Sequence, residues 1–336
     1  MKTVAVIVCN NGLGHLKRVL HLVKRLHHRP SAEIRTDIYV DSDKLGRFPS
    51  LTRALFRSGG NTRFFDVHTD GPSFEREFLS KYRKSLMTAD YVWSDNFVFP
   101  LKYRPDVFLT GSFLWLDVSS EKADVQREKE ILLKNRPVMI ANKYFATPGV
   151  KNLTKYIGVG IYEYFRPQVS PQISSALLLS CGQSRPARLF FERSLERLQH
   201  GLERIPSDLE VFLEPDYYPY FRSFKNVKKA RYTERMFNRI SAAAVRPGIG
   251  TICDVLLKGG RIFAFFEDGN FEVRYNAGVL EELGVGETCG TADAALAAAA
   301  RYLGHEERRI KHLSHLAKID FRGLEETTAK IREIIY

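Results

Sequence analysis

Short apolar runs, several rich in β-branched residues, alternate with helical stretches along the whole chain. This alternation limits the possible folds more than any other feature. Runs at 4–8, 34–40, 63–67, 91–93, 106–110 and 137–142 read as strands. Between them, 15–28, a segment from Asp43, 74–88 and 125–134 read as helices. In 15–28, Leu16, Val19, Leu20, Val23 and Leu26 recur at helical spacing and predict one buried face. The pattern breaks at 159–173, where Arg166-Pro167-Gln168 and Ser170-Pro171-Gln172 read as a linker. A second set follows, with strands at 176–180, 209–213, 227–232, 243–246 and 262–266. Its helices are expected at 186–202, 234–242, 251–257, 292–303 and from 306 onward.

Strands this short, each followed by a helix, predict parallel sheets covered on both faces. The expected fold class is α/β, with two doubly wound, Rossmann-like parallel-sheet domains facing a cleft. The first domain is expected at 1–160, a linker at 161–173, the second domain at 174–315 and a terminal helix at 316–336. Ligands of such sheets bind outside the carboxyl ends of the strands, near the point where strand order reverses.

No apolar run approaches the ~20 residues that span a bilayer. The first nine residues read as a buried strand rather than a signal peptide, so a cytoplasmic protein is expected. Cys9, Cys181, Cys253 and Cys289 lie far apart, which argues against a zinc site or a disulfide framework. The net charge of +12 calls for an anionic partner. The basic clusters are short and no nucleic-acid-binding motif accompanies them, so no nucleic acid is expected.

The richest segment for chemistry is 246–276. Arg246-Pro247-Gly248-Ile249-Gly250-Thr251 follows an apolar run and opens a helix, and Asp254 lies about one turn in. Free N–H groups and the positive end of the helix dipole suit a phosphate, and glycine lets it approach the backbone. Asp254 can accept hydrogen bonds from sugar hydroxyls. Asn270 and Glu272 sit in a second polar turn downstream. The other glycine turn, at 10–14, leads into a helix at His15. Asp95 follows the short strand 91–93, whose end is expected to face the same site.

These pieces, in this order, resemble a GT-B-fold glycosyltransferase of the MurG-like, UDP-sugar-using group. Gly12-Leu13-Gly14-His15-Leu16-Lys17-Arg18 is similar to a GxGHxxR turn of that fold. Tyr232-Thr233-Glu234-Arg235-Met236 resembles the segment that meets the nucleobase, which implies roles for Thr233 and Met236. The 246–254 segment resembles the diphosphate and ribose motif, and Phe271-Glu272 with Asn276 resembles the stretch that meets the hexose. Two departures stand out. The turn Ser180-Cys181-Gly182-Gln183-Ser184 has one glycine where MurG has several, and Glu272 stands where glutamine is usual.

The resemblance implies transfer of a hexose or N-acetylhexosamine from a UDP-sugar to a hydroxyl, with inversion and without a metal or other cofactor. His15 is then the base, oriented by Asp95. Their alternatives are a capping histidine and a turn aspartate. Gly248, Gly250 and Thr251 are assigned to the diphosphate with Arg246 as an added cation, Gly182 to the donor side, Asp254 to the ribose, and Asn270 and Glu272 to the sugar. Arg246 has the alternative of a structural strand-end residue. Gly12, Gly14, Ser94 and Asn96 are assigned to the acceptor side. Asp41-Ser42-Asp43 is a DxD string that capping explains better than metal binding. The terminal helix is expected to pack back on the first domain. A lipid-linked acceptor and peripheral contact with an anionic membrane would suit the charge. Phe97, Phe99, Phe113, Leu114 and Trp115 would then supply apolar contacts, with core packing as their alternative. A UDP-sugar hydrolase of the same fold and a non-catalytic nucleotide-sugar-binding protein remain alternatives.

Overall fold

The computed structural model describes residues 1–10, 12–28, 34–57, 61–68, 72–119, 121–166, 176–182 and 185–336. Linker residues 167–173 and the turn residues Gln183 and Ser184 lie outside this set. The chain divides into two compact units. Unit 1 holds Met1–Tyr162 and Arg322–Tyr336, and unit 2 holds Glu163–Phe321.

Unit 1 carries a seven-stranded parallel sheet of β1 (Lys2–Ile7), β2 (Ile34–Val40), β3 (Thr62–Asp66), β4 (Tyr91–Asp95), β5 (Phe108–Gly111), β6 (Val138–Asn142) and β7 (Lys155–Val159). Its order is β3-β2-β1-β4-β5-β6-β7, so the direction of winding reverses between β1 and β4. Unit 2 carries a six-stranded parallel sheet of β8 (Ala176–Ser180), β9 (Glu210–Leu213), β10 (Val227–Lys229), β11 (Ile240–Val245), β12 (Arg261–Ala264) and β13 (Gly286–Thr288). Its order, β10-β9-β8-β11-β12-β13, reverses between β8 and β11. Each sheet therefore has one switch point, where loops from adjacent strand ends diverge and leave room for a ligand.

The apolar face expected of the first helix is present. Over Leu13–His27, the residues Leu16, Val19, Leu20, Val23 and Leu26 are buried. Burying each such side chain contributes about 1.5–3 kcal/mol, which holds the helix on the sheet. The last helix, Gly323–Ile335, packs on the same unit. Gly323 N–H donates to the Ile161 carbonyl, and the Gly160 N–H donates to Glu326. Lys2 Nζ donates to the Ile335 carbonyl at 2.8 Å, joining the first strand to the last helix.

Three differences from the sequence reading have physical causes. The helix expected over 234–242 ends at Phe237, and Ile240–Val245 is strand. Ala242, Ala243 and Ala244 are good helix formers, yet pairing on both sides with β8 and β12 outweighs that preference. The strand expected to reach Tyr232 stops at Lys229, and Tyr232 has φ 48. Strands β7 and β13 were not anticipated, because each is short and neither alternates clearly.

Unit 2 has a built-in acid sensitivity. His312, in the helix Glu306–Leu316, is 1% exposed. Its Nε2 donates to the Gly259 carbonyl at 3.2 Å, while Nδ1 is buried without a partner among the described residues. Burial, and then the charge of Arg261, lower its pKa from 6.5 to about 4. The folded chain thus takes this proton only near pH 4, whereas the unfolded chain takes it near 6.5. The stability contribution is full above pH 6.5 and is lost as pH falls from there to 4, by about 3 kcal/mol in total. His312→Gln keeps an N–H for the carbonyl and cannot titrate. Urea unfolding between pH 7 and 4.5 should show a pH slope smaller by about one proton in that variant. An unchanged slope would rule the assignment out.

Candidate active site

The switch point of unit 1 brings two sequence-derived candidates together. Gly12 adopts φ 81, a conformation that glycine takes without strain, and the first helix starts at Leu13. Gly14 and His15 fall in its first turn. Asp95 is the last residue of the neighbouring strand β4. His15 Nδ1 lies 2.7 Å from Asp95 Oδ2. Arg18 Nη2 lies 3.2 Å from the same nitrogen, but the carboxylate is the nearer and can only accept, so Nδ1 carries the hydrogen and Nε2 offers its lone pair. Nε2 has no hydrogen-bond partner among the described residues. The His15 side chain is 12% exposed and Asp95 is fully buried. Phe113 sits edge-on to the imidazole, with ring centroids 6.0 Å apart.

Asp95 serves other groups through its second oxygen. Arg18 reaches Oδ1 through Nη2 at 2.6 Å and Nε at 3.2 Å, and Thr110 Oγ1 donates to it at 2.9 Å. Trp93 Nε1 donates to Thr110 at 2.8 Å. Burial alone would raise the Asp95 pKa, but the charges of Arg18 and His15 and their hydrogen bonds outweigh it and hold the carboxyl below its usual range. Arg18 was visible in the glycine–histidine motif, although no role was assigned to it. Positions 15 and 18 are one helical turn apart, so both reach the same carboxylate. Thr110 and Trp93 gave no sequence signal.

Other acceptor-side candidates have definite surroundings. The Ser94 hydroxyl is buried and donates to the Phe97 carbonyl, so it is used within its own turn. Asn96 is fully buried with φ 63, and neither amide atom has a partner among the described residues. Its Oδ1 lies over Gly111, where a Cβ would approach to 1.7 Å. The Ser112 hydroxyl is also buried, with no partner among the described residues. Phe97, Phe99, Phe113 and Leu114 are buried and do not form an exposed apolar contact.

In unit 2 the turn after β11 leads into a helix. Gly248 caps the Ile249–Leu257 helix. The N–H groups of Ile249, Gly250 and Thr251 have no acceptor among the described residues. Asp254 lies in the second turn and is 5% exposed. Asn276, in the helix Phe271–Glu282, donates to the Pro247 carbonyl at 2.9 Å and braces the turn. Asn270 caps that helix, and Glu272 lies in its first turn. Thr233 caps the short helix Glu234–Phe237, accepting from Met236 N–H, and Met236 is buried.

Two candidates are already engaged. Arg246 forms a bidentate pair with Glu267. Burial would raise the Glu267 pKa, and the hydrogen bonds and charge of Arg246 more than reverse that. The Gly182 N–H, with that of Cys181, donates to Glu214 Oε2 at 3.2 and 2.8 Å. Sequence reasoning passed over both glutamates.

For a cation, the described residues offer Asp41, Asp66 and His68, whose ligand atoms fall within 4.8 Å of one another. Lys44 Nζ already lies 3.4 Å from Asp41, and the two carboxylates also accept N–H groups of Asp43 and Ser42. Asp41 caps the following short helix.

No family model matches this chain, and no curated protein matches it. Solved structures do resemble it along nearly its whole length. The glycotransferase of kitacinnamycin is 16% identical with a TM-score of 0.61, over 99% of this chain and 98% of that one. UGT2 of Phytolacca americana, complexed with UDP-2fluoro-glucose and pterostilbene, is 10% identical with a TM-score of 0.68, over all of both chains. SsfS6 of Streptomyces sp. SF2575, complexed with thymidine diphosphate, is 13% identical with a TM-score of 0.61, over 99% of this chain and 100% of that one. The chain has the GT-B fold. At these identities the likeness speaks to the fold alone. Within the GT-B fold, the two switch points described above are the strand-end positions that can host ligands. Among the described residues, no helix is long and apolar enough to cross a membrane.

Proposed function

We propose that this chain is a glycosyltransferase moving a hexose or N-acetylhexosamine from a UDP-sugar to a hydroxyl acceptor. The observation that carries this reading is the His15–Asp95 pair, with Nδ1 2.7 Å from the carboxylate and Nε2 without a hydrogen-bond partner among the described residues. In this reading Nε2 accepts the acceptor's proton as its oxygen attacks the anomeric carbon. Asp95 holds the tautomer and stabilises the imidazolium that forms. Direct attack from the face opposite the nucleotide inverts the anomeric centre.

Unit 2 takes the donor. The N–H groups of Ile249, Gly250 and Thr251 receive the diphosphate and stabilise it as it leaves, which makes a metal unnecessary. Asp254 accepts from the ribose hydroxyls, and Glu272 meets the sugar. Gly12 and Gly14 shape the turn on the acceptor side. Nearly all of the net positive charge lies in unit 1, which suits an acidic or lipid-phosphate-linked acceptor and contact with an anionic membrane. The MurG-like motif and the UDP and pterostilbene in the Phytolacca structure's description support the same reading.

The test is thermal denaturation with UDP, UDP-GlcNAc, UDP-glucose, GDP-mannose or TDP-glucose, with and without EDTA. A uridine nucleotide at a hundred times its Kd should stabilise the fold by about 2.7 kcal/mol. The shift should survive EDTA and disappear in Asp254→Asn. No shift with any nucleotide would defeat the proposal, and loss with EDTA would defeat its metal-free part.

A further inference from the structure

Arg246 stands two residues before the cap of the Ile249–Leu257 helix. Its N–H is bonded to the Ser180 carbonyl at the end of β8, so the residue sits at the unit 2 switch point. Its side chain is 11% exposed and closely engaged. Nε lies 2.8 and 3.1 Å from the two Glu267 oxygens, and Nη2 lies 2.7 Å from Oε1. Asn270 Nδ2 donates to the same Oε1 at 3.0 Å, which fixes the carboxylate in place.

We propose that Glu267 is a donor-selecting residue, an internal carboxylate that occupies Arg246 until the donor's diphosphate displaces it. This rests on the donor reading given above. A guanidinium fork matches two oxygens of a carboxylate or of a phosphate equally well in shape. The diphosphate carries more charge and also reaches the helix N–H groups, so it can take Arg246 from Glu267. A monophosphate brings less of both and leaves the internal pair intact. The adjacent strand end repeats the arrangement, with Glu214 accepting the Cys181 and Gly182 N–H groups that an anion would otherwise use. Val245 and Ser180 are paired in register, so the two occupied positions are neighbours.

Calorimetric titration with UDP and UMP, on wild type, Glu267→Gln, Arg246→Ala and the double variant, tests this. Glutamine keeps an acceptor for Arg246 and loses the charge. Glu267→Gln should bind UDP about tenfold more tightly than wild type, with a smaller preference for UDP over UMP. Glu267→Asp, which draws the carboxylate back, should move UDP affinity the same way. In the Arg246→Ala background the Glu267→Gln change should have no effect. Unchanged or weaker UDP binding in both folded Glu267 variants overturns the inference while leaving the donor site standing. Failure of the wild type to bind either nucleotide overturns the donor reading and the inference with it.

Discussion

Replacing His15 by alanine is expected to slow sugar transfer by about a hundred- to ten-thousandfold, the usual contribution of a positioned general base. Nucleotide affinity should stay at the wild-type value, because His15 belongs to unit 1 and the proposed donor groups to unit 2. Stability should also change little, since His15 is partly exposed and Asp95 retains Arg18 and Thr110. The measurement is release of UDP from a UDP-sugar with a panel of hydroxyl acceptors, paired with a UDP binding isotherm. Full turnover in the variant would remove His15 from the chemistry. Release of UDP and free sugar without any acceptor would convert the proposal to hydrolysis, in which water takes the acceptor's place.

Asp95→Ala has the second large effect, and it falls on stability. The substitution leaves the Arg18 guanidinium, 5% exposed, without its carboxylate. Breaking a buried ion pair from one side costs about 3–5 kcal/mol, because the remaining charge stays buried and uncompensated. Thr110 also loses its acceptor, and the imidazole of His15 loses the group that orients it. Urea unfolding should report the loss, and catalysis should fall even where the variant is folded. A companion change isolates the cause. Arg18→Met in the same chain removes the stranded charge and should recover part of the stability. If Asp95→Ala alone unfolds at the wild-type urea concentration, the buried-pair account fails.

Much of this architecture was legible because the chain repeats one rule. Val4, Val6 and Ile7 mark a buried parallel strand, and the apolar spacing of Leu16 to Leu26 marks the helix that covers it. The same reasoning failed at 238–242, where pairing with the strands on both sides, which no local pattern announces, overrides the helix preference of Ala242. The site was legible where chemistry needs a rare local shape. The glycine turn before His15 and the Gly248–Thr251 turn both announce themselves. Partners contributed from other strands were not legible. Thr110 is one threonine among many until β5 is known to lie beside β4. Glu267 and Glu214 looked like ordinary loop acids, because an internal carboxylate that occupies an arginine or a pair of N–H groups leaves no spacing pattern. Arg18 falls between these cases, being visible in the motif but explained only by the fully buried carboxylate it reaches.

The chain leaves unit 1 at Tyr162 and returns to it at Arg322, so unit 2 is an insertion within unit 1. This sets an order of assembly on the ribosome. Unit 2 is one unbroken stretch and can finish folding as soon as it emerges. Unit 1 begins first yet must wait for its last helix, whose first residue packs so tightly that a Cβ on Gly323 would lie 2.3 Å from the Gly160 carbonyl oxygen. Until then the backbone at Gly160 and Ile161 lacks its partners in that helix. A nascent chain stalled before residue 322 would therefore carry a completed unit 2 tethered to an unfinished unit 1, and the unit that was begun first would be the one exposed to proteases and chaperones.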